Sequence, residues 1–193
     1  MYLFFDTETT GLPQNWRAPV EELENWPRVV QIAWLMYSSN NRLLSEQSFI
    51  IKPEGFHIPL EASKIHGITT KKAVQDGKKL KPVLAKFAQD VTKAHCVVAH
   101  NIDFDEKIIS AEFLRKNIIH DLKTKPKICT MQSSTQFCKI PGKYNSKYKW
   151  PNLKELHVTL FECDFEDRHN ALADVKACAK CFFELKKQGV IKF

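Results

Sequence analysis

A chain of 193 residues with 44% hydrophobic and 26% charged residues can bury a sizeable core and is not intrinsically disordered. Its 29 Lys and Arg against 22 Asp and Glu give a net charge of +7, a modest excess that favours a polyanionic partner such as nucleic acid without identifying one. No apolar run approaches the ~18 residues of a membrane span, and the opening MYLFF is cut off by Asp6 before it could serve as a secretory segment. With six cysteines and no need of staples at this length, the expectation is free thiols in a reducing, cytoplasmic setting, no membrane partner, and a single domain over residues 1–193.

LFFDTE (3–8) reads as a short buried strand, and VVQIAWLMY (29–37) and LLSEQSFII (43–51) as the second and third. Their short connections favour an antiparallel meander. LEASKIHGITTKKAV predicts two short helices broken at Gly67, and the spacing of Val83, Leu84, Phe87, Ala88 and Val91 predicts a helix over 80–91. CVVA (96–99) is continuously apolar, the mark of a strand covered on both faces. A helix over 102–116, a fifth strand ICTM (128–131), a polar and basic loop over 139–150 and a short helix LKELHVTLF follow. From about Asn170 a long final helix carries Leu172, Val175, Cys178, Ala179, Phe182 and Leu185 on one side. Cys178 and Cys181 form a CxxC inside that pattern and read as core residues rather than zinc ligands. The succession gives a mixed α/β sandwich with one sheet. Trp16, Trp26, Trp34 and Trp150 are expected to be packing anchors, and Glu21, Glu22 and Glu24 to lie away from any nucleic-acid path or over the sheet edge.

The chemistry gathers at strand ends. Side chains alternate along a strand, so Asp6 and Glu8 share a face. Two adjacent carboxylates repel, and a divalent cation relieves that cost. A lone pair of this kind is more often a solvated strand end, but further acids arrive at equivalent places. CVVA runs into HNIDFDE, and ligands of open α/β sheets bind at the carboxyl ends of strands. There Asp103, with Glu106 three residues on, reads as a helix N-cap, while Asp105 falls in the first turn and either serves the helix dipole or faces the crevice. In DRHNALADV, His169 and Asp174 are five apart and would lie on different sides of a regular helix. His169 is therefore placed in the loop, Asn170 near the N-cap and Asp174 inside the helix. A histidine there suits a general base, although taken alone a surface histidine beside a helix start is the simpler reading.

In this order, FDTETTG, HNIDFD and His169-x4-Asp174 resemble the three motifs of the DEDDh 3′–5′ exonuclease family, typified by the epsilon proofreading subunit of bacterial DNA polymerase III. The resemblance runs from Asp6 to Asp174 with the closing helix. It implies a ribonuclease H-like fold, a mixed five-stranded sheet in which an antiparallel meander is continued by parallel strands, with helices on both faces. It implies that Asp6, Glu8, Asp105 and Asp174 bind two divalent metal ions, Mg²⁺ or Mn²⁺, and that His169 accepts the proton of the attacking water. The family's second motif selects Asn101, Phe104 and Asp105 and leaves Asp103 as the cap. SKIHGIT is similar to the family element that lines the terminal-nucleotide pocket, which brings in His66, Gly67 and Ile68. Thr7, Thr9 and Gly11 of the first motif join them, and Leu12 matches the residue that packs on the terminal base. The implied reaction is hydrolysis of the last phosphodiester at a 3′ end, one ion activating the water and the other stabilising the leaving oxygen, with release of a nucleoside 5′-monophosphate. Single-stranded or frayed DNA is favoured over RNA as partner. A DNA polymerase subunit stays open as a further partner, and the absence of a tethering segment after Phe193 weighs against it.

Two lysine groups invite the same partner. Lys139, Lys143, Lys147 and Lys149 alternate with Tyr144 and Tyr148, a pattern that could follow a single strand. Lys71, Lys72, Lys78, Lys79 and Lys81 form the second group. A solvated face explains either equally well. Rival readings of the whole chain are an RNA 3′-end trimming enzyme of the same family, a nucleic-acid-binding domain without catalysis, and a metal-dependent nucleotidyl or glycosyl transferase. The last leaves His169 and Asp174 unexplained.

Overall fold

The computed structural model describes residues 1–143 and 147–192. Five strands, β1 (Tyr2–Thr9), β2 (Val29–Tyr37), β3 (Leu43–Ile50), β4 (Cys96–Ala99) and β5 (Lys127–Cys129), form one sheet in the order β3-β2-β1-β4-β5. The first three pair antiparallel, while β1 with β4 and β4 with β5 pair parallel. The helices are α1 (Leu60–His66), α2 (Thr70–Asp76), α3 (Leu80–Lys93), α4 (Ile102–Arg115), α5 (Thr130–Cys138), α6 (Leu153–Phe161) and α7 (Ala171–Lys187). The expected mixed five-stranded sheet with helices on both faces is what forms.

The strand period of two decides which face each residue serves. Leu3 and Phe5 join Ile32, Trp34 and Val97 in a core closed by Leu84 and Phe87 of α3 and Ile108 and Ile109 of α4. Tyr2 and Phe4 point the other way, into a core with Leu35 and Val98 that α7 closes with Val175, Cys178, Phe182 and Leu185. Cys178 and Cys181 are buried free thiols in that second core, as expected. A smaller cluster of Val30, Ile58, Ala62, Ile68 and Ala73 docks the α1–α2 pair on the start of β2. Gly67 ends α1 with φ 72, a left-handed turn that suits glycine.

Three expectations are corrected. The fifth strand stops at Cys129, and Thr130 and Met131 open α5, whose polar sequence TMQSSTQFC hides a face of Thr130, Met131 and Ser134. Asp103 is not the N-cap of α4. Asn101 takes that position in the left-handed conformation (φ 70), which Asn tolerates, so the helix begins at Ile102 and Asp103 stays exposed. Glu106 pairs with Lys127 at 3.2 Å instead of capping, and a capping box forms at Asn152 with Glu155, at the start of α6. Of the tryptophans, Trp26 and Trp34 are buried, but Trp16 is 50% exposed and Trp150 63%. Among the described residues no helix is long and apolar enough to cross a membrane.

Candidate active site

Strand β1 outruns its parallel neighbour. Its pairing with β4 ends at Phe4–Val98, while its pairing with β2 continues to Thr9. The crevice that opens at the carboxyl end of β4 is lined by the residues next along β1. Asp6 and Glu8 fall on the α7 face of the sheet, in step with Tyr2 and Phe4, whereas Thr7 falls on the α4 face, in step with Leu3 and Phe5.

Each face then contributes an acid. From α7, Asp174 brings a carboxylate oxygen to within 4.8 Å of oxygens of Asp6 and Glu8, and these three form one cluster able to hold a metal ion. From α4, Asp105 (3% exposed) meets Thr7, whose backbone N–H donates to Asp105 Oδ1 at 3.0 Å and whose hydroxyl donates at 2.7 Å. Asp105 is thus held on one oxygen and stands close enough to Asp6 and Glu8 to repel them. The dipole-serving alternative for Asp105 gives way to a buried carboxylate bound to β1.

The electrostatics are those of crowded, buried anions. Burial, then the charges of Asp105, Asp174 and Glu8, holds the Asp6 carboxyl well above its ordinary range. Burial and the charges of Asp174 and Asp105 push Glu8 to about 8. Burial raises Asp105 to about 7 against the Thr7 hydrogen bonds, and Asp174 to about 6 against the His169 N–H and Arg168. Hard oxygen donors that neutralise poorly among themselves fit a divalent cation such as Mg²⁺ or Mn²⁺.

His169 sits in the loop before α7, in the left-handed conformation (φ 64), and its backbone N–H donates to Asp174 Oδ2 at 3.1 Å. Asn170 is the N-cap, its side chain accepting from Leu172 N at 3.0 Å. The loop-cap-helix division expected for this segment is therefore the one that forms. A cleft of about 250 Å³ is lined by Asp6, His100, Asn152, Leu153, Lys154, Phe165, Arg168, His169 and Asp174.

The residues expected to bind substrate divide. His66 ends α1; its Nδ1 accepts from Ile68 N at 3.1 Å, burial lowers its pKa, and Thr9 and His169 lie near enough to influence it. The His66–Gly67–Ile68 turn is thus brought to the crevice. The Thr9 hydroxyl donates to the Gly11 carbonyl at 2.7 Å and shapes the turn that presents Leu12, 71% exposed. Asn101 shapes the start of α4, and Phe104 packs at 5.7 Å from the Trp16 ring and against the core. Glu24 lines a groove of about 430 Å³ with Gly11, Leu12, Arg28 and Phe56. Arg115 holds that loop by donating to the carbonyls of Leu23 and Trp26, and the fully buried Glu112 anchors both Arg115 and Arg28. Lys147 stands over the Tyr148 ring at 5.3 Å and Lys149 pairs with Glu155 at 2.5 Å, while Tyr144 lies outside the described residues. Lys71, Lys72, Lys78, Lys79 and Lys81 are exposed, and among the described residues none is in an ion pair.

Sequence reasoning passed over two residues that build this site. Gln31 is 5% exposed, sits opposite Glu8 in the β1–β2 register, and accepts from Ala171 N at 3.2 Å. Its Nε2 donates to Asn170 Oδ1 at 3.4 Å, so it fixes the start of α7. The signal was a lone amide within the apolar run VVQIAWLMY. His100 places Nδ1 3.0 Å from Thr130 Oγ1 and donates from Nε2 to the Pro151 carbonyl at 3.0 Å. Burial lowers its pKa to about 4, and the neutral ring ties β4 to the approach of α6.

Residues 3–182 match the RNase_T family, described as exonuclease. The PolC-type DNA polymerase III of Streptococcus pyogenes serotype M2 (strain MGAS10270) is 30% identical over 190 residues, 97% of this chain and 11% of that protein. Its counterpart in Latilactobacillus sakei subsp. sakei is 27% identical over the same shares. Among solved structures, E. coli Exonuclease I in complex with a dT13 oligonucleotide superposes with a TM-score of 0.74 at 21% identity, over 96% of this chain and 40% of that one. Exonuclease I from Methylocaldum szegediense superposes at 0.73 with 18% identity, over 97% and 40%. The chain thus spans a small part of the PolC-type relatives and less than half of the Exonuclease I chains, and the latter likeness concerns the fold. With the family match spanning nearly the whole sheet and the acid cluster at its edge, the chain belongs to the RNase_T exonuclease family.

Proposed function

We propose that this chain is a metal-dependent 3′–5′ exonuclease of the DEDDh type, which hydrolyses the terminal phosphodiester of single-stranded or frayed DNA and releases nucleoside 5′-monophosphates. The observation that carries the reading is the convergence of Asp6, Glu8 and Asp174 within 4.8 Å, with Asp105 behind them and His169 bonded through its backbone to Asp174. Asp6, Glu8, Asp105 and Asp174 would hold two divalent cations, which when bound supply charge for the phosphodiester and acidify water. His169 takes the proton of the attacking water on an imidazole nitrogen; its backbone N–H bond to Asp174 and the hold of Gln31 on the start of α7 keep the residue beside the acids. Leu12, Gly11 and the His66–Ile68 turn, on the β2 side of the acids, form the wall for the terminal nucleotide. The names of the relatives, DNA polymerase III and Exonuclease I with an oligonucleotide, support DNA as the polymer and leave a polymerase partner in view.

The test is a 5′-labelled single-stranded DNA oligonucleotide with Mg²⁺ or Mn²⁺, with EDTA and Asp174→Ala as controls. Stepwise shortening from the 3′ end, absent in both controls, is expected. RNA of the same sequence in parallel decides the sugar. Internal cuts, or shortening that survives EDTA, would overturn the reading.

A further inference from the structure

The cleft beside Asp6 and Asp174 contains two cations that the acid cluster does not need. Lys154, in the first turn of α6, and Arg168, in the loop before α7, both line it. They meet on one anion between them in the chain: Lys154 Nζ lies 2.8 Å from Asp164 Oδ2 and Arg168 Nε 3.6 Å from the same oxygen. Asp164 is thus shared, two cations to one carboxylate, which leaves the group a net positive charge. Both cations remain partly open, with side-chain exposures of 45% and 43%. Arg168 also acts on the site electrostatically, lowering the Asp174 carboxyl against the effect of burial.

Position gives this charge a substrate. The wall proposed for the terminal nucleotide lies on the β2 side of Asp6 and Glu8, and Lys154 and Arg168 lie on the opposite side, where His100 and Asn152 form the cleft. In this reading a strand whose last nucleotide occupies the first side runs out over the second. Its next internucleotide phosphate then passes a cleft of about 250 Å³ whose wall carries a guanidinium and an ammonium. A guanidinium offers paired N–H donors matched to phosphate oxygens.

We propose that Lys154 and Arg168, positioned by Asp164, form a phosphate grip for the internucleotide linkage immediately 5′ of the scissile bond. The grip rests on the exonuclease reading for its substrate polarity. It makes the enzyme read one backbone charge beyond the bond it cuts, independently of the base.

The test is a cycle between protein charge and substrate charge. Arg168→Gln and Lys154→Gln are compared with the unaltered chain on two single-stranded DNA oligonucleotides, one natural and one with a methylphosphonate at the linkage 5′ of the scissile bond, each diastereomer separately. Two quantities are read: kcat/KM with Mg²⁺, and Kd by fluorescence anisotropy in Ca²⁺ buffer. Neutralising either partner is expected to weaken binding of the natural strand about tenfold. The dependence of log K on log salt should become shallower by about 0.7 per lost contact. On the neutral linkage the variants should match the unaltered chain. If the effects of variant and neutral linkage instead multiply, Lys154 and Arg168 serve only the loop and the grip falls. Cleavage without this coupling removes the grip and leaves the exonuclease reading standing. Coupling in Kd without cleavage does the reverse, and neither binding nor cleavage removes both.

Discussion

Asp174→Asn should make the metal-free protein more stable at high pH, although it removes a site residue. Burial raises the Asp174 carboxyl from 3.8 to about 6 in the folded chain. The folded state therefore binds this proton more tightly than the unfolded one. The stability associated with it is fully present below about pH 4 and is lost as pH rises through 6. At 1.36 kcal/mol per pKa unit, ionised Asp174 costs the fold up to about 3 kcal/mol at pH 8. Asparagine has the shape of the neutral acid, and its carbonyl can still accept from the His169 N–H. It also removes a charge that raises Asp6 and Glu8. Relative to the unaltered chain, the variant should gain about 2 kcal/mol between pH 4.5 and pH 8, which for a chain of this size is about 4–8 °C in Tm. Urea and thermal unfolding in EDTA at the two pH values measure this. Adding Mg²⁺ at pH 8 should raise the Tm of the unaltered chain and leave the variant nearly unmoved. An Asn variant equally destabilised at both pH values would refute the assignment of that cost to a buried, uncompensated carboxylate.

The remaining predictions concern parts of the molecule with different duties. Glu112→Ala strands Arg28 and Arg115 around a fully buried position and should cost about 3–5 kcal/mol in urea unfolding, with the loop over residues 10–28 loosened in hydrogen exchange. Trp34→Ala removes a fully buried ring that also donates to Asp90 at 3.0 Å and should cost about 3–5 kcal/mol, whereas Trp150→Ala should stay within about 0.5 kcal/mol by the same assay. His169→Ala should lower turnover about 10²–10⁴-fold while calorimetric titration with Mn²⁺ shows metal affinity retained; lost affinity would undo the separation of base from metal ligands. Gln31→Leu should shift the pH dependence and lower kcat with little change in KM, since the buried amide holds the start of α7. A loss matched by His169→Ala and not deepened in the double variant would place both on one function.

The sheet and its acids were legible because their signals are local. Strand periodicity put Asp6 and Glu8 on one face, and five-residue spacing separated His169 from Asp174 into loop and helix, both as the structure has them. What was not legible depends on partners distant in sequence. Asp103 looks like a cap because its spacing to Glu106 fits, but Asn101 accepts a left-handed backbone and Glu106 is drawn to Lys127, so neither local preference prevails. Trp150 resembles a core residue by type, yet the carbonyl beside it, at Pro151, is held by His100, and the indole remains outside. Gln31 takes its meaning from a residue 140 positions away.

The alternation of β1 explains why the acids of two packed layers can meet. Residues 2 to 5 are shared between the cores, Tyr2 and Phe4 under α7, Leu3 and Phe5 under α3 and α4. That alternation continues past Phe4, where β4 turns away, and the same two faces then receive Asp6, Thr7 and Glu8. Helix α7 can reach Asp6 and Glu8 directly with Asp174. Helix α4, on the far side, reaches the cluster only by binding Thr7, and that is the geometry seen for Asp105. A one-residue slip in β1 would exchange the faces, bury the acids under α4 and present Thr7 to Asp174. The aromatic residues that fix this register, Phe4 against Phe182 and Phe5 against Phe87, are therefore also what places the carboxylates. Packing at one end of the strand and chemistry at the other are set by a single register.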